Sequence, residues 1–211
     1  MSFIRSINRI LNQISFLVSK YIIFVYNGKI RVYKQEPLDG ELVSNHADTI
    51  NEYAQSVVSD SDAAAALAKF LGLDKMSKPD KIKTILAFVH SMPYTRDDRY
   101  PSGDDVKTLY GSLRTCKMDC EDSAVCIVTM LIRCGMSAHL VFVERPKGSD
   151  KTNHCVACIS EDDLDAPKGC YITKMGKRYY LIEGTAERKI GDIGKKYAGW
   201  RTYLIDCSGV A

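Results

Sequence analysis

The stretch KMDCEDSAVCIVTMLIRCG (residues 117–135) decides how the chain is read. It sets Cys120 between Asp119, Glu121 and Asp122 at the mouth of a long apolar run. Aspartate three residues before aspartate is a helix-start pattern, because each carboxylate can accept an N–H that the first turn leaves unpaired. From Ala124 to Ile132 the run is apolar nearly all round, so the helix is expected to be buried, and Gly135 to end it. Cys120 therefore stands in the first turn of a buried helix, where the dipole lowers a thiol pKa while the neighbouring acids raise it. A plain buried thiol needs nothing more. A nucleophile needs a positively charged partner that outweighs the acids.

The periodicity on either side differs. Upstream, helical patterns fall at about 47–58 and 61–72. A third begins at Ser77, with Pro79 in its first turn, Asp80 as the expected capping-box partner, and a stripe of Ile82, Ile85, Leu86 and Val89. A loop rich in Pro, Gly and Asp (92–105) leads back to the Cys120 segment. Downstream, four strand-like runs follow at 138–144, 153–159, 178–184 and 201–207. Helices first and then an antiparallel set predicts an α+β domain.

Residues 1–36 carry six basic residues against one acid, a local excess of +5 that leaves −2 for the rest of the chain. Apolar residues from Phe3 to Val18 recur at helical spacing, and two β-rich runs flank Asn27-Gly28 as in a hairpin. QEPLDGE (35–41) reads as a linker, which divides the chain into a basic amphipathic extension (1–40) and a main domain (41–211). The extension suits an anionic membrane surface or a partner protein, and equally well packing on its own domain. A net charge of +3 argues against nucleic acid. No run reaches the ~18–20 apolar residues of a membrane span. Eight cysteines in a chain too long to need staples, two of them inside the apolar helix, point to free thiols in a reducing, cytoplasmic compartment.

A thiol hydrolase needs an imidazole to take and return the proton and an acceptor to orient it. His154 opens a strand, with Val156 and Cys158 on the same face, and Glu183 shares a face with Leu181 and Tyr179 further on. Neighbouring strands can thus present an imidazole and a carboxylate side by side. His46, His90 and His139 read as structural or surface residues. Cys155 and Cys158 fall on opposite faces of their strand, which argues against a zinc site.

The run from VHSMPYTRDDRYP (89–101) through TCKMDCEDSAVCIV (115–128), then NHCVACI (153–159) and YYLIEGTAERKIG (179–191), resembles the transglutaminase-like superfamily. It is most similar to the bacterial transglutaminase-like cysteine proteinases with their Asp-Cys-Glu-Asp helix start. The resemblance covers roughly residues 80–192. It implies a papain-like core in which a buried helix carrying the cysteine packs on an antiparallel sheet. Cys120 would be the nucleophile, His154 the base and Glu183 the orienting acid. Two positions depart from the pattern: Glu183 stands where the family usually has Asp, and Lys117-Met118 where a glycine is common.

The implied activity is a thiol-dependent peptidase or amidase acting on a protein or peptide through a Cys120 thioester. The alternatives are a transglutaminase, with an amine in place of water, and a catalytically silent binding module. The resemblance also implies calcium beside the nucleophile. Three acids within four residues cannot complete a shell of six to eight oxygens unless Asp97, Asp98 or loop carbonyls join them, so helix capping is the preferred reading and no metal or cofactor is expected. Deleting residues 1–36 is expected to leave the catalytic fold intact by circular dichroism, and flotation of the full chain with anionic liposomes tests the membrane reading.

Overall fold

The computed structural model describes residues 21–26, 29–34, 44–46, 57, 61–96, 105–148 and 153–208. The expected N-terminal helix, the linker at 35–41 and nearly all of the expected 47–58 helix lie outside them. Strands β1 (Tyr21–Tyr26) and β2 (Lys29–Lys34) pair antiparallel in the hairpin register, Tyr26 opposite Lys29. A short pair joins β3 (Ser44–His46) to β4 (Asp105–Lys107), which the sequence pattern did not announce.

Four α-helices occur among the described residues. In α1 (Ser61–Leu71) the buried residues Ala64, Leu67, Ala68 and Leu71 form one stripe. In α2 (Lys78–Ser91) the N-cap Ser77 accepts the Asp80 N–H, and its hydroxyl donates to the Asp80 carboxylate at 2.8 Å. β1 runs against this helix. α3 (Leu109–Thr115) is capped by Thr108 and stopped by Cys116 at φ 52°. α4 (Cys120–Arg133) is the central helix, and every residue from Glu121 to Leu131 is buried. It ends where Gly135 takes φ 76° and the Met136 N–H reaches back to the Leu131 carbonyl at 3.0 Å, a glycine-dependent stop. None of these helices is long and apolar enough to cross a membrane.

The main sheet is antiparallel throughout, in the order β7 (Tyr171–Lys174), β8 (Lys177–Ile182), β6 (His154–Ser160), β5 (Ala138–Glu144), β9 (Arg201–Ile205). Four of these strands coincide, to within two residues at either end, with the apolar runs expected from sequence. β7, with alternating exposed and half-buried residues at the sheet edge, escaped because it lacks an apolar face. The domain is α+β, as expected. Helix α4 packs on the face bearing Leu140, Cys155, Ala157 and Ile159, while Val141, Val156, Cys158 and Leu181 face a second cluster closed by Ile193 and Tyr197. Cys155 and Cys158 thus lie on opposite faces, and all eight cysteines are free thiols.

The start of α4 is fixed by its acids. Asp119 and Asp122 form a reciprocal capping box, each backbone N–H bound to the other's carboxylate at 3.3 Å. Asp122 is wholly buried and also accepts both the backbone N–H and the ammonium of Lys107 at 2.7 Å, which ties β4 to the helix. Burial pushes the Asp122 carboxyl up to about 6, against the pull of Lys107. The two acids should differ in energetic weight. Asp119→Ala is expected to cost ~1 kcal/mol, the value of a cap. Asp122→Ala strands a mostly buried ammonium and is expected to cost on the order of 3–5 kcal/mol. Urea unfolding of the two variants measures the difference.

Candidate active site

β6 pairs with β5 along its length, but its ladder with β8 begins only at Ala157, opposite Ile182. Residues 154–156 therefore have a sheet neighbour on one side only. The tip of α4 meets this gap, where the Cys155 backbone N–H is near enough to the Cys120 sulfur to pull the thiol's pKa down.

His154 and Glu183 meet at the same rim. The Nε2 of His154 lies 2.9 Å from Oε2 of Glu183, and both side chains are buried. The other carboxylate oxygen, Oε1, accepts the Thr185 N–H at 2.9 Å and its hydroxyl at 2.7 Å. Burial pushes the Glu183 carboxyl up, but the bond and charge of His154 and the two Thr185 donors outweigh it, leaving the group below its ordinary value. An ionised carboxylate facing Nε2 selects the tautomer protonated there. Nδ1 is then the nitrogen with a lone pair. The imidazole is held flat against Tyr197, centroids 4.5 Å apart and planes 5° from parallel, and Trp200 meets the Tyr197 ring edge-on.

Cys120 is not bonded to His154 in this arrangement. Its thiol donates to Oε2 of Glu121 at 2.8 Å. Burial first, and then the charge of Glu121 and that hydrogen bond, push the thiol far above its ordinary value, with the Cys155 N–H opposing weakly. So the three expected residues converge on one rim, with His154 and Glu183 in contact and the thiol turned to its own neighbour.

Several contributors were not foreseen. His90, in the last turn of α2, lies with Nε2 3.0 Å from the Glu183 carbonyl oxygen. Its only sequence signal is a position one turn beyond Leu86. Tyr94 pairs in parallel with Met118 through the Thr95 N–H to the Met118 carbonyl (2.9 Å) and the Met118 N–H to the Pro93 carbonyl (3.2 Å). The loop before Cys120, where a glycine is common in the resembling family, is thus shaped by a buried Met118 and two backbone bonds. His139 is structural: buried on β5, it accepts the Cys207 N–H at 3.1 Å. His46 and the aspartates at 97 and 98 carry no described side chains.

The carboxylates beside Cys120 are each engaged: Asp119 in the cap, Asp122 in the cap and with Lys107, Glu121 with the thiol. Among the described residues, no three His, Cys, Asp or Glu side chains gather in a group that could hold a metal ion.

No family model matches the chain, and neither does any curated protein sequence. Solved structures with a similar trace include a crystal structure of a protein from Parabacteroides distasonis described as a candidate protease, at 13% identity and a TM-score of 0.42. That similarity covers 81% of this chain and 39% of the other, so the chain spans about two-fifths of its length.

The position of Glu121 gives a direct test. Glu121→Gln removes the charge nearest the sulfur and should lower the thiol pKa, which makes iodoacetamide alkylation of Cys120 near pH 7 faster than in the wild type. An unchanged pH profile would show that the carboxylate does not control the thiol.

Proposed function

We propose that this chain is a thiol hydrolase, a cysteine peptidase or amidase of the transglutaminase-like, papain-type kind. One observation carries the reading: His154 and Glu183 are paired at 2.9 Å on the strand rim that the Cys120 sulfur approaches at Cys155, with Nδ1 of His154 left to serve as base. Side-chain rotation about Cα–Cβ takes the thiol from Glu121 toward Nδ1. The base removes the S–H proton as sulfur attacks the amide carbonyl carbon, and the carbonyl π pair moves to oxygen. The Cys120 backbone N–H, in the first turn and not used by the capping box, supports the oxyanion. Collapse breaks the C–N bond, the amine leaves with the proton from His154, and a Cys120 thioester remains. Water then attacks with His154 again as base, releasing the acid and restoring the thiol. Glu183 stays ionised and steadies the imidazolium.

An amine in place of water would make the protein a transglutaminase. The silent binding module is the second reading. It is favoured by the thiol's engagement with Glu121 and by its raised pKa. We assign the acids around Cys120 to capping and docking rather than to calcium, because each already serves a protein group, and we assign no resident cofactor. The substrate is a protein or peptide, and the basic residues 1–36 would supply any contact with a membrane or partner.

The triad is tested on the thiol itself. Cys120→Ala should abolish hydrolysis of labelled casein, and Cys116→Ala should not. His154→Ala should slow alkylation of Cys120 near pH 7, since it removes the base that takes the thiol proton and the imidazolium charge that would then offset Glu121. If Cys120 alkylates equally fast without His154, the enzyme reading fails and the module stands. Incorporation of a labelled amine in place of water release would move the assignment to transglutaminase.

A further inference from the structure

We propose that His90 is a positioning residue for the acid of the triad, acting through the Glu183 backbone; this rests on the triad reading above. Glu183 is the first residue beyond β8, whose last rung joins Ile182 to Ala157. Past that rung the sheet no longer fixes the chain, yet Glu183 is almost wholly buried and its side chain must meet His154 within hydrogen-bond range. Thr185 orients the carboxylate locally, two residues away on the same loop, so it moves with the loop and cannot anchor it. The anchor has to come from elsewhere in the fold.

Two helices supply it, in opposite senses. On one side, a Cβ at Gly184 would lie 2.7 Å from the Ser123 Cβ and 3.3 Å from Ile127, so the loop already touches α4 as closely as a glycine allows. This contact limits approach. It does not prevent withdrawal. On the other side, His90 donates from Nε2 to the Glu183 carbonyl at 3.0 Å, a directional bond from a residue 93 positions away in the chain. A buried carbonyl outside any ladder needs a donor, and this one comes from α2. Ser123 sets how near the acid comes to the nucleophile's helix, and His90 keeps it there. Since sub-ångström placement governs proton transfer, a loosened acid would lower the basicity and the fixed orientation of His154 without removing any reacting group.

The test uses the full chain with His90→Leu, which keeps much of the volume and removes the donor, and His90→Gln, whose amide N–H can reach the same carbonyl. The readouts are the pH profile of Cys120 alkylation and the ¹⁵N resonance of His154 Nε2. His90→Leu should slow alkylation near pH 7 by about ten- to a hundredfold and shift the Nε2 resonance away from its hydrogen-bonded position. His90→Gln should recover most of both. A merely structural His90 would change the melting temperature and leave both readouts in place, and that result overturns the proposal. His154→Ala separates the two levels: if it leaves alkylation unchanged, the triad reading falls and this inference with it. If His154→Ala slows alkylation and His90→Leu does not, His90 alone is refuted. Should the Leu variant not fold, the unmodified protein decides by the His90 tautomer. A slowly exchanging Nε2–H supports the bond, and a rapidly exchanging one overturns it.

Discussion

The site depends on the close approach of Gly184 to Ser123. Any other residue at 184 would set a Cβ 2.7 Å from a helix side chain, and the chain would have to leave α4. Because it stays, β8 ends at Ile182 and its continuation turns onto the helix instead of prolonging the ladder. The gap left beside residues 154–156 is what admits the tip of α4. Three features meet at this contact: a strand rim without a β8 partner, a carboxylate aimed across it, and the cysteine at the tip of α4. The rest of the fold holds these in position. The Lys107–Asp122 pair fixes where α4 begins, and the two apolar clusters clamp the sheet between helix and loop.

The acids around Cys120 separate into two kinds once their partners are known. Asp119 and Asp122 are architectural. The first caps the helix, and the second spends one oxygen on the cap and both on Lys107, so neither points its charge freely at the sulfur. Glu121 alone touches the thiol. Placing a carboxylate against a nucleophile is costly only for the thiolate; for the neutral thiol it supplies a hydrogen-bond acceptor in a buried place.

Much of this was legible in the sequence because local chemistry dictated it. The Asp-x-x-Asp start, the apolar body of α4 and its Gly135 stop each act within a few residues, and the structure realises all three. The alternation in β5 and β6 gave their faces, and the opposed Cys155 and Cys158 follow from it. What escaped depends on distance in sequence. Nothing in AFVHS (87–91) tells that His90 reaches a carbonyl on the far side of the chain, and nothing before Tyr94 announces its bridge to Met118. Lys107 looks like any surface lysine until β4 pairs with β3 and brings it to Asp122. The short edge pairs β3–β4 and β7 have too few residues to show a period.

The energetics of the thiol narrow how such a site could work. An imidazolium about 4 Å from a thiolate stabilises it by roughly 4 kcal/mol at an effective dielectric near 20, or about three pH units at 1.36 kcal/mol each. Here burial, the charge of Glu121 and its hydrogen bond all push the thiol the other way. In the structure the thiol rests on Glu121 and the imidazole on Glu183. On the proposed mechanism the proton moves to Nδ1 only as sulfur attacks, when the developing charge passes to the carbonyl oxygen and the helix-start N–H. Substrate binding would have to draw the thiol off Glu121 before the chemistry begins. On the same proposal, the long Glu183 side chain, reaching from a loop held between two helices, would keep the base in register through that change.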